Sequence, residues 1–195
     1  MGRRSLAVER REQILAAFER CVTKYGLDGA TIDLIATEAK VKPSIIRHYI
    51  GNWDDLVKAL MDRVISSYRE MIDKNFGTLP EDKKLDGSLD VLFSDQTIHP
   101  VQARMVLGIM MTTKEQYPAA KRRLVEFMEE MVGEFAKALH QRYPNAPMLM
   151  CRETAYSVVC LSVANDSFAQ MGVEKEYLRH ARASADILVQ NLGKN

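Results

Sequence analysis

Three cysteines in 195 residues, none in a CxxC pair, leave no disulfide framework and no zinc site to build on. Cys21, Cys151 and Cys160 sit inside apolar helical patterns, which suits a reducing compartment. No run approaches the roughly 18 apolar residues a membrane span needs. Net charge is scarce as well. Against 27 basic side chains stand 26 acidic ones, so any nucleic-acid surface must be a local patch. Alternating strand patterns and Asn-Gly hairpin signals are missing throughout. So are HExxH, GxSxG and Gly-rich phosphate loops, while His99, His140 and His180 lie far apart. Carboxylates such as Glu129 and Glu130 read as solvated helix faces, and the expectation is a protein that is not an enzyme and carries no cofactor or metal. The opening MGRRSLAVERR lacks the apolar core of a secretory signal, and Leu6 stands where myristoylation wants Ser or Thr. A cytoplasmic location follows as the expectation, with no membrane partner.

What is present is helix. Apolar residues at Ile14, Leu15, Phe18, Cys21, Val22 and Tyr25 recur at the helical period, predicting a first helix from about Val8 to Tyr25, stopped by Gly26. Thr31 suits the N-cap of a second helix that buries Ile32, Ile35, Ala36 and Ala39. Pro43 suits the first position of a third, which turns Ile46, Tyr49 and Ile50 inward and ends at Gly51. Asn52 with Asp55 resembles a capping box opening a long fourth helix that fades between Asn75 and Gly77. Thr78 to Ser88 is the best candidate boundary. Beyond it, helices are expected at Leu85 to Asp95, Pro100 to Gln116, Pro118 to Arg142, from a cap at Asn145 through Met171, and from Glu174 to Leu192. The fold class expected is therefore all-α, with about nine helices. A three-helix head over residues 1–53 leads through a connecting helix at 54–77 to a helical bundle at 78–195.

The head holds one unusual window. No acidic residue occurs between Glu38 and Asp54, whereas Lys40, Lys42, Arg47 and His48 all fall there. A short helix stripped of negative charge and placed after a turn suits a DNA major groove. Its outward positions are Pro43, Ser44, Arg47 and His48. Arg47 is the expected base reader, because a guanidinium bonds a guanine edge bidentately. Ser44 and His48 can reach bases or phosphates, and Tyr49 can place its hydroxyl on a phosphate. Lys42 stands where a capping Ser or Thr belongs, giving up about 1 kcal/mol at a helix end whose dipole repels it. A nearby phosphate accounts for that choice. Arg3 and Arg4, on an N-terminal arm, would track the backbone or the minor groove. A charged face on a short helix is ordinarily just solvated. Here turn, cap, small buried alanines and absent acids agree in one register.

The segment resembles the helix-turn-helix of the TetR family of bacterial repressors, whose pattern runs T-x-x-x-I-A-x-x-A-G-V-S-x-x-x-x-Y-x-Y/H-F-x-x-K-x-x-L. Thr31, Ile35, Ala36, Ala39, Val41, Tyr49 and Leu56 match it, and the resemblance extends over about the first 60 residues. Departures are Lys40 for the turn Gly, Lys42 for Ser, Arg47 for Tyr, Ile50 for Phe and Trp53 for Lys. That Lys grips a phosphate in the family; the indole N–H of Trp53 offers one hydrogen bond in its place. The run Ile45, Ile46, His48, Tyr49 is also similar to regulators of choline and betaine metabolism. The resemblance thus implies contacts to a double-stranded operator from Arg3, Arg4, Thr31, Lys40, Lys42, Pro43, Ser44, Arg47, His48, Tyr49, Asn52 and Trp53.

For the C-terminal half the resemblance implies a bundle that dimerises and binds a small effector. Leu178, Ala181, Ala185, Leu188 and Leu192 form a seam suited to close packing against a second copy, joined by Ser157 and Leu161 from the helix before it. The alternative is a plain intrachain core. A soft interior of Phe93, Met105, Ile109, Met110, Phe127, Met128, Met131 and Phe135, with Tyr156, Cys160 and Phe168, is the candidate pocket for an apolar or amphipathic effector. Asn165 and Asp166 either orient that ligand or satisfy a dimer contact. The function expected is a homodimeric repressor released from a near-palindromic operator by its effector. A ligand-independent helix-turn-helix protein whose bundle recruits a protein partner is the alternative.

Overall fold

The computed structural model describes residues 3–76, 80–94, 101–112 and 115–194, without the side chains at 3–5, 75–76, 81–82, 101–105, 170 and 178. Among the described residues every regular element is helical: α1 Arg3–Tyr25, α2 Ile32–Glu38, α3 Pro43–Tyr49, α4 Trp53–Phe76, α5 Glu81–Leu92, α6 Val101–Thr112, α7 Pro118–Arg142, α8 Met148–Gln170 and α9 Lys175–Asn191, closed by a 3-10 turn at Leu192–Lys194. None of these helices is long and apolar enough to cross a membrane.

Two compact units divide the chain. The first takes residues 1–69 and 100–125. Its core is the inner stripe of α1 (Ile14, Leu15, Phe18, Val22), with Ile35 and Ala36 of α2, Ile46 of α3, Leu56, Leu60 and Val64 of α4, and Val106 of α6. α1 packs against α2, α3 and α6, so it is the spine on which the two short helices are held. A seven-residue helix is too short to persist alone, and burial of Ile35 or Ile46 supplies what its few internal hydrogen bonds cannot.

The second unit takes residues 70–99 and 126–195. Leu85 and Leu89 of α5, Phe135 and Leu139 of α7, Ala155 and Val158 of α8, and Ala185, Val189 and Leu192 at the C-terminus form one core.

Several local expectations change. α1 begins at Arg3 rather than near Val8, so Arg3 and Arg4 lie in a helix and not on an extended arm, though their side chains fall outside the described residues. α5 starts and ends earlier than its apolar pattern indicates, and α6 stops at Thr112. Asn145 does not cap α8. Pro147 occupies the N-cap position, and because a residue before proline is pushed out of the helical region, no helix can start across Ala146. The seam on α9 is also reassigned. Ala185 and Leu192 are buried in this chain's own core and Leu188 packs against it, so these residues are taken before a partner could use them. Ala181, Ser157 and Leu161 are half-buried, and the side chain of Leu178 lies outside the described residues.

Candidate nucleic-acid interface

The hydroxyl oxygen of Thr31 accepts the Leu34 N–H at 3.2 Å and starts α2. α2 ends in a Schellman arrangement: the Val41 N–H reaches the Ala36 carbonyl at 2.9 Å and the Lys40 N–H reaches Thr37 at 3.1 Å. Lys40 itself is left-handed, with φ 53°. A glycine takes that conformation without penalty, whereas a side chain there costs about 1 kcal/mol. That is the physical meaning of its departure from the Gly pattern.

Pro43 opens α3 after Lys42, and no side chain caps this helix. Ile46 is fully buried, whereas Lys42, Pro43, Ser44, Arg47 and His48 are exposed and Tyr49 is half-buried. The His48 and Tyr49 rings meet edge to face at 4.9 Å, which orders the end of the exposed row. Among the described residues Lys40, Lys42 and Arg47 make no ion pair. Arg20 of α1 is paired with Glu38 at 2.6 Å, and Arg63 of α4 with Glu12 and Glu19. The turn and α3 thus carry three cations in a window that holds no acid to offset them.

Gly51 has φ 123°, and a Cβ there would collide with the Asp55 carboxylate. The crowding arises from a reciprocal capping box, in which the Asn52 N–H donates to Asp55 at 3.0 Å and the Asp55 N–H to the Asn52 side-chain oxygen at 3.0 Å. The Asn52 side-chain oxygen is therefore committed to the fold.

Trp53 needs a correction. Its ring stacks edge to face on Phe18 at 5.4 Å, and its indole N–H points to the Tyr117 hydroxyl at 3.4 Å. An indole has one donor, so Trp53 is a packing residue here and not a substitute phosphate clamp. Two side chains that no local pattern singles out, Arg11 and Gln13 of α1, reach the motif through its backbone: Arg11 donates to the Tyr49 carbonyl at 3.3 Å and Gln13 to the Ala39 carbonyl at 2.7 Å.

The candidate effector residues are divided between the two units, with Phe93 and Met128 packed against Phe135 in the core of the second. Ile109 and Met110 belong to the first unit. Phe93, Phe127, Met128, Met131 and Phe135 belong to the second, buried or half-buried. Tyr156, Cys160 and Phe168 are exposed, so they do not line an interior. Tyr156 instead shares a hydrogen bond with Cys160, which pushes its phenol above the usual range. Asn165 is half-buried, and the side chain of Met105 is outside the described residues.

No family profile matches the chain. Among curated proteins it is 27% identical over 124 residues to the helix-turn-helix transcriptional regulator BetI of Stenotrophomonas maltophilia, covering 62% of this chain and 63% of that one. It is 36% identical over 67 residues to the regulator HbdR of Aromatoleum, covering 34% and 29%. The match thus spans less than two thirds of either relative. Both relatives are named as transcriptional regulators, not as enzymes. Among solved structures, a TetR regulator from Haloarcula marismortui superposes with TM-score 0.80 at 19% identity, over 94% of this chain and 98% of that one. One from Cytophaga hutchinsonii reaches 0.80 at 12% identity, over 95% of each. Likeness over almost the whole length at such low identity establishes the fold.

Proposed function

We propose that this chain, which has the fold of TetR-family regulators, is a sequence-specific DNA-binding transcriptional regulator acting in the cytoplasm. One observation carries the reading. α3 turns its apolar side into the head's core and leaves Lys42, Ser44, Arg47 and His48 exposed in a window without a single acid. In a groove, Arg47 reads a base edge while Lys42, Lys40 and the hydroxyls of Thr31 and Tyr49 hold phosphates.

The working form is a homodimer. The row Leu149, Tyr156, Cys160, Val163 and Ser167 of α8, continued by Met171 at its C-cap, recurs every three to four residues or a multiple of that, and it is exposed throughout. Met171 is 77% and Tyr156 53% exposed, and α9 adds Tyr177 at 66% and Ile187 at 60%. Two packed helices with large apolar side chains facing water call for a cover, and a second copy gives each stripe its like. Two heads would then address half-sites about 34–36 Å apart on a near-palindromic operator.

A small apolar or amphipathic effector, held by Phe93, Met128, Met131 and Phe135, would release the DNA by binding the free form more tightly than the bound one. One neighbour of this fold, at TM-score 0.62, is described as a multidrug binding protein complexed with imidazole, which supports a small-molecule control.

The test is to select duplexes from a random pool with the full chain and measure their affinity. Arg47→Ala should weaken the selected duplex by about 10- to 100-fold and a random duplex far less. Failure to enrich any sequence overturns the reading. A panel of apolar and amphipathic compounds, scored first for binding and then for release of the duplex, tests the switch; compounds that bind without releasing it refute repression by release.

A further inference from the structure

A seven-residue helix cannot set its own direction, so the angle at which α3 leaves the head depends on what holds the turn before it. That turn pivots on Lys40, whose left-handed backbone is the one non-glycine positive φ among the described residues. The Schellman hydrogen bonds occupy the carbonyls of Ala36 and Thr37. They leave out the carbonyl of Ala39, which sits immediately before the pivot on a residue only 2% exposed. A buried carbonyl needs a donor. The donor comes from 26 residues away, where Gln13 Nε2 bonds that oxygen at 2.7 Å. The amide's orientation is settled by its other end, because Gln13 Oε1 accepts from the Arg10 guanidinium at 2.8 Å and a guanidinium can only donate. At the far end of α3, Arg11 closes on the Tyr49 carbonyl. α1 therefore ties down both the chain entering α3 and the chain leaving it, in each case through backbone.

We propose that Gln13 is a positioning residue for DNA recognition: its bond to Ala39 holds the strained Lys40 turn, and so fixes the direction in which α3 presents Arg47 and His48. The inference rests on α3 being the reading helix. Gln13 is neutral and adds nothing to attraction for phosphate. Its loss misdirects base contacts and leaves the electrostatic contribution alone.

The experiment uses the full chain as wild type, Gln13→Ala, Lys40→Gly and the double variant. Each is titrated with a duplex selected by the wild type and with a random-sequence duplex. In Gln13→Ala the ratio of the two affinities should fall by about tenfold while the random-duplex affinity changes less than about twofold. Loss of folded protein alone would lower both in proportion and keep the ratio. In the Lys40→Gly background, where the turn is unstrained, removing Gln13 should change the ratio by less than about threefold. An unchanged ratio in Gln13→Ala, or an equal loss in both backgrounds, overturns the proposal. Amide hydrogen exchange without DNA is an independent readout of the same tether. Gln13→Ala should speed exchange at Lys40 and Val41 about tenfold over the α4 core, and unchanged exchange there refutes the tether. If the wild type enriches no sequence, the DNA reading falls, and exchange still decides whether Gln13 holds the turn.

Discussion

α3 and α8 are both half-exposed helices, yet they show water opposite chemistry. α3 buries Ile46 and presents Arg47 and His48 beside its N-cap Lys42; α8 buries Cys151, Ala155 and Val158 and presents Leu149, Tyr156 and Phe168 beside its C-cap Met171. A cationic row is stable in water and gains when phosphate replaces its counterions. An apolar row of that size loses free energy until something covers it. The difference teaches that the two faces suit different partners under the proposed function, a charged one for α3 and an apolar one for α8.

Four measurements would break or sharpen that contrast. The largest effect is expected on the apolar side. Tyr156→Glu with Met171→Glu should weaken self-association by about 3 kcal/mol, so that sedimentation shows a monomer at micromolar concentration. An unchanged mass would show that α8 is covered by something other than its like. On the cationic side, Gly51→Ala should cost about 2 kcal/mol of unfolding free energy in denaturant titration, because the new Cβ meets the Asp55 carboxylate at a positive φ. Lys42→Ser separates folding from binding. The hydroxyl caps α3 and raises stability by about 1 kcal/mol, while the salt slope of DNA binding falls by about one. A slope that does not move would make Lys42 a solvated residue like any other.

The smallest effect lies behind the head. Partial burial raises the Asp62 carboxyl, but its hydrogen bonds and charge pairing with Lys58 and Arg123 outweigh this and hold it below the ordinary carboxylate range. A depressed acid contributes stability above its unfolded pKa and loses it as pH falls through the folded value. Because this pair is largely solvent-screened, Asp62→Asn should cost only about 0.5 kcal/mol at pH 7, a difference that shrinks below about pH 4. A gap that persists in acid would assign the loss to packing.

Legibility in the sequence followed the range of the interaction. The Thr31 cap, Pro43 at the start of α3 and the Asn52–Asp55 box are contacts within three residues, and each is formed. α7 has the bounds its periodicity indicates. Trp53 defeats a local reading because its partners, Phe18 and Tyr117, lie 35 and 64 residues away. The α9 seam does so for a related reason. Periodicity shows that a face is apolar, but an intrachain core and a dimer ask for the same pattern, and Ala185 and Leu192 went to the nearer claimant.

By itself, then, the sequence determined the helical class, the caps of α2 and α4 and the acid-free window, since period, capping chemistry and charge are properties of neighbouring residues. Tertiary structure alone decided which faces are already satisfied. It placed residues 100–125 with the head, closed Trp53 inward, set Gln13 under the Lys40 turn and left the outer stripe of α8 bare. Those outcomes depend on competition among distant surfaces for the same burial, and no local pattern encodes the winner.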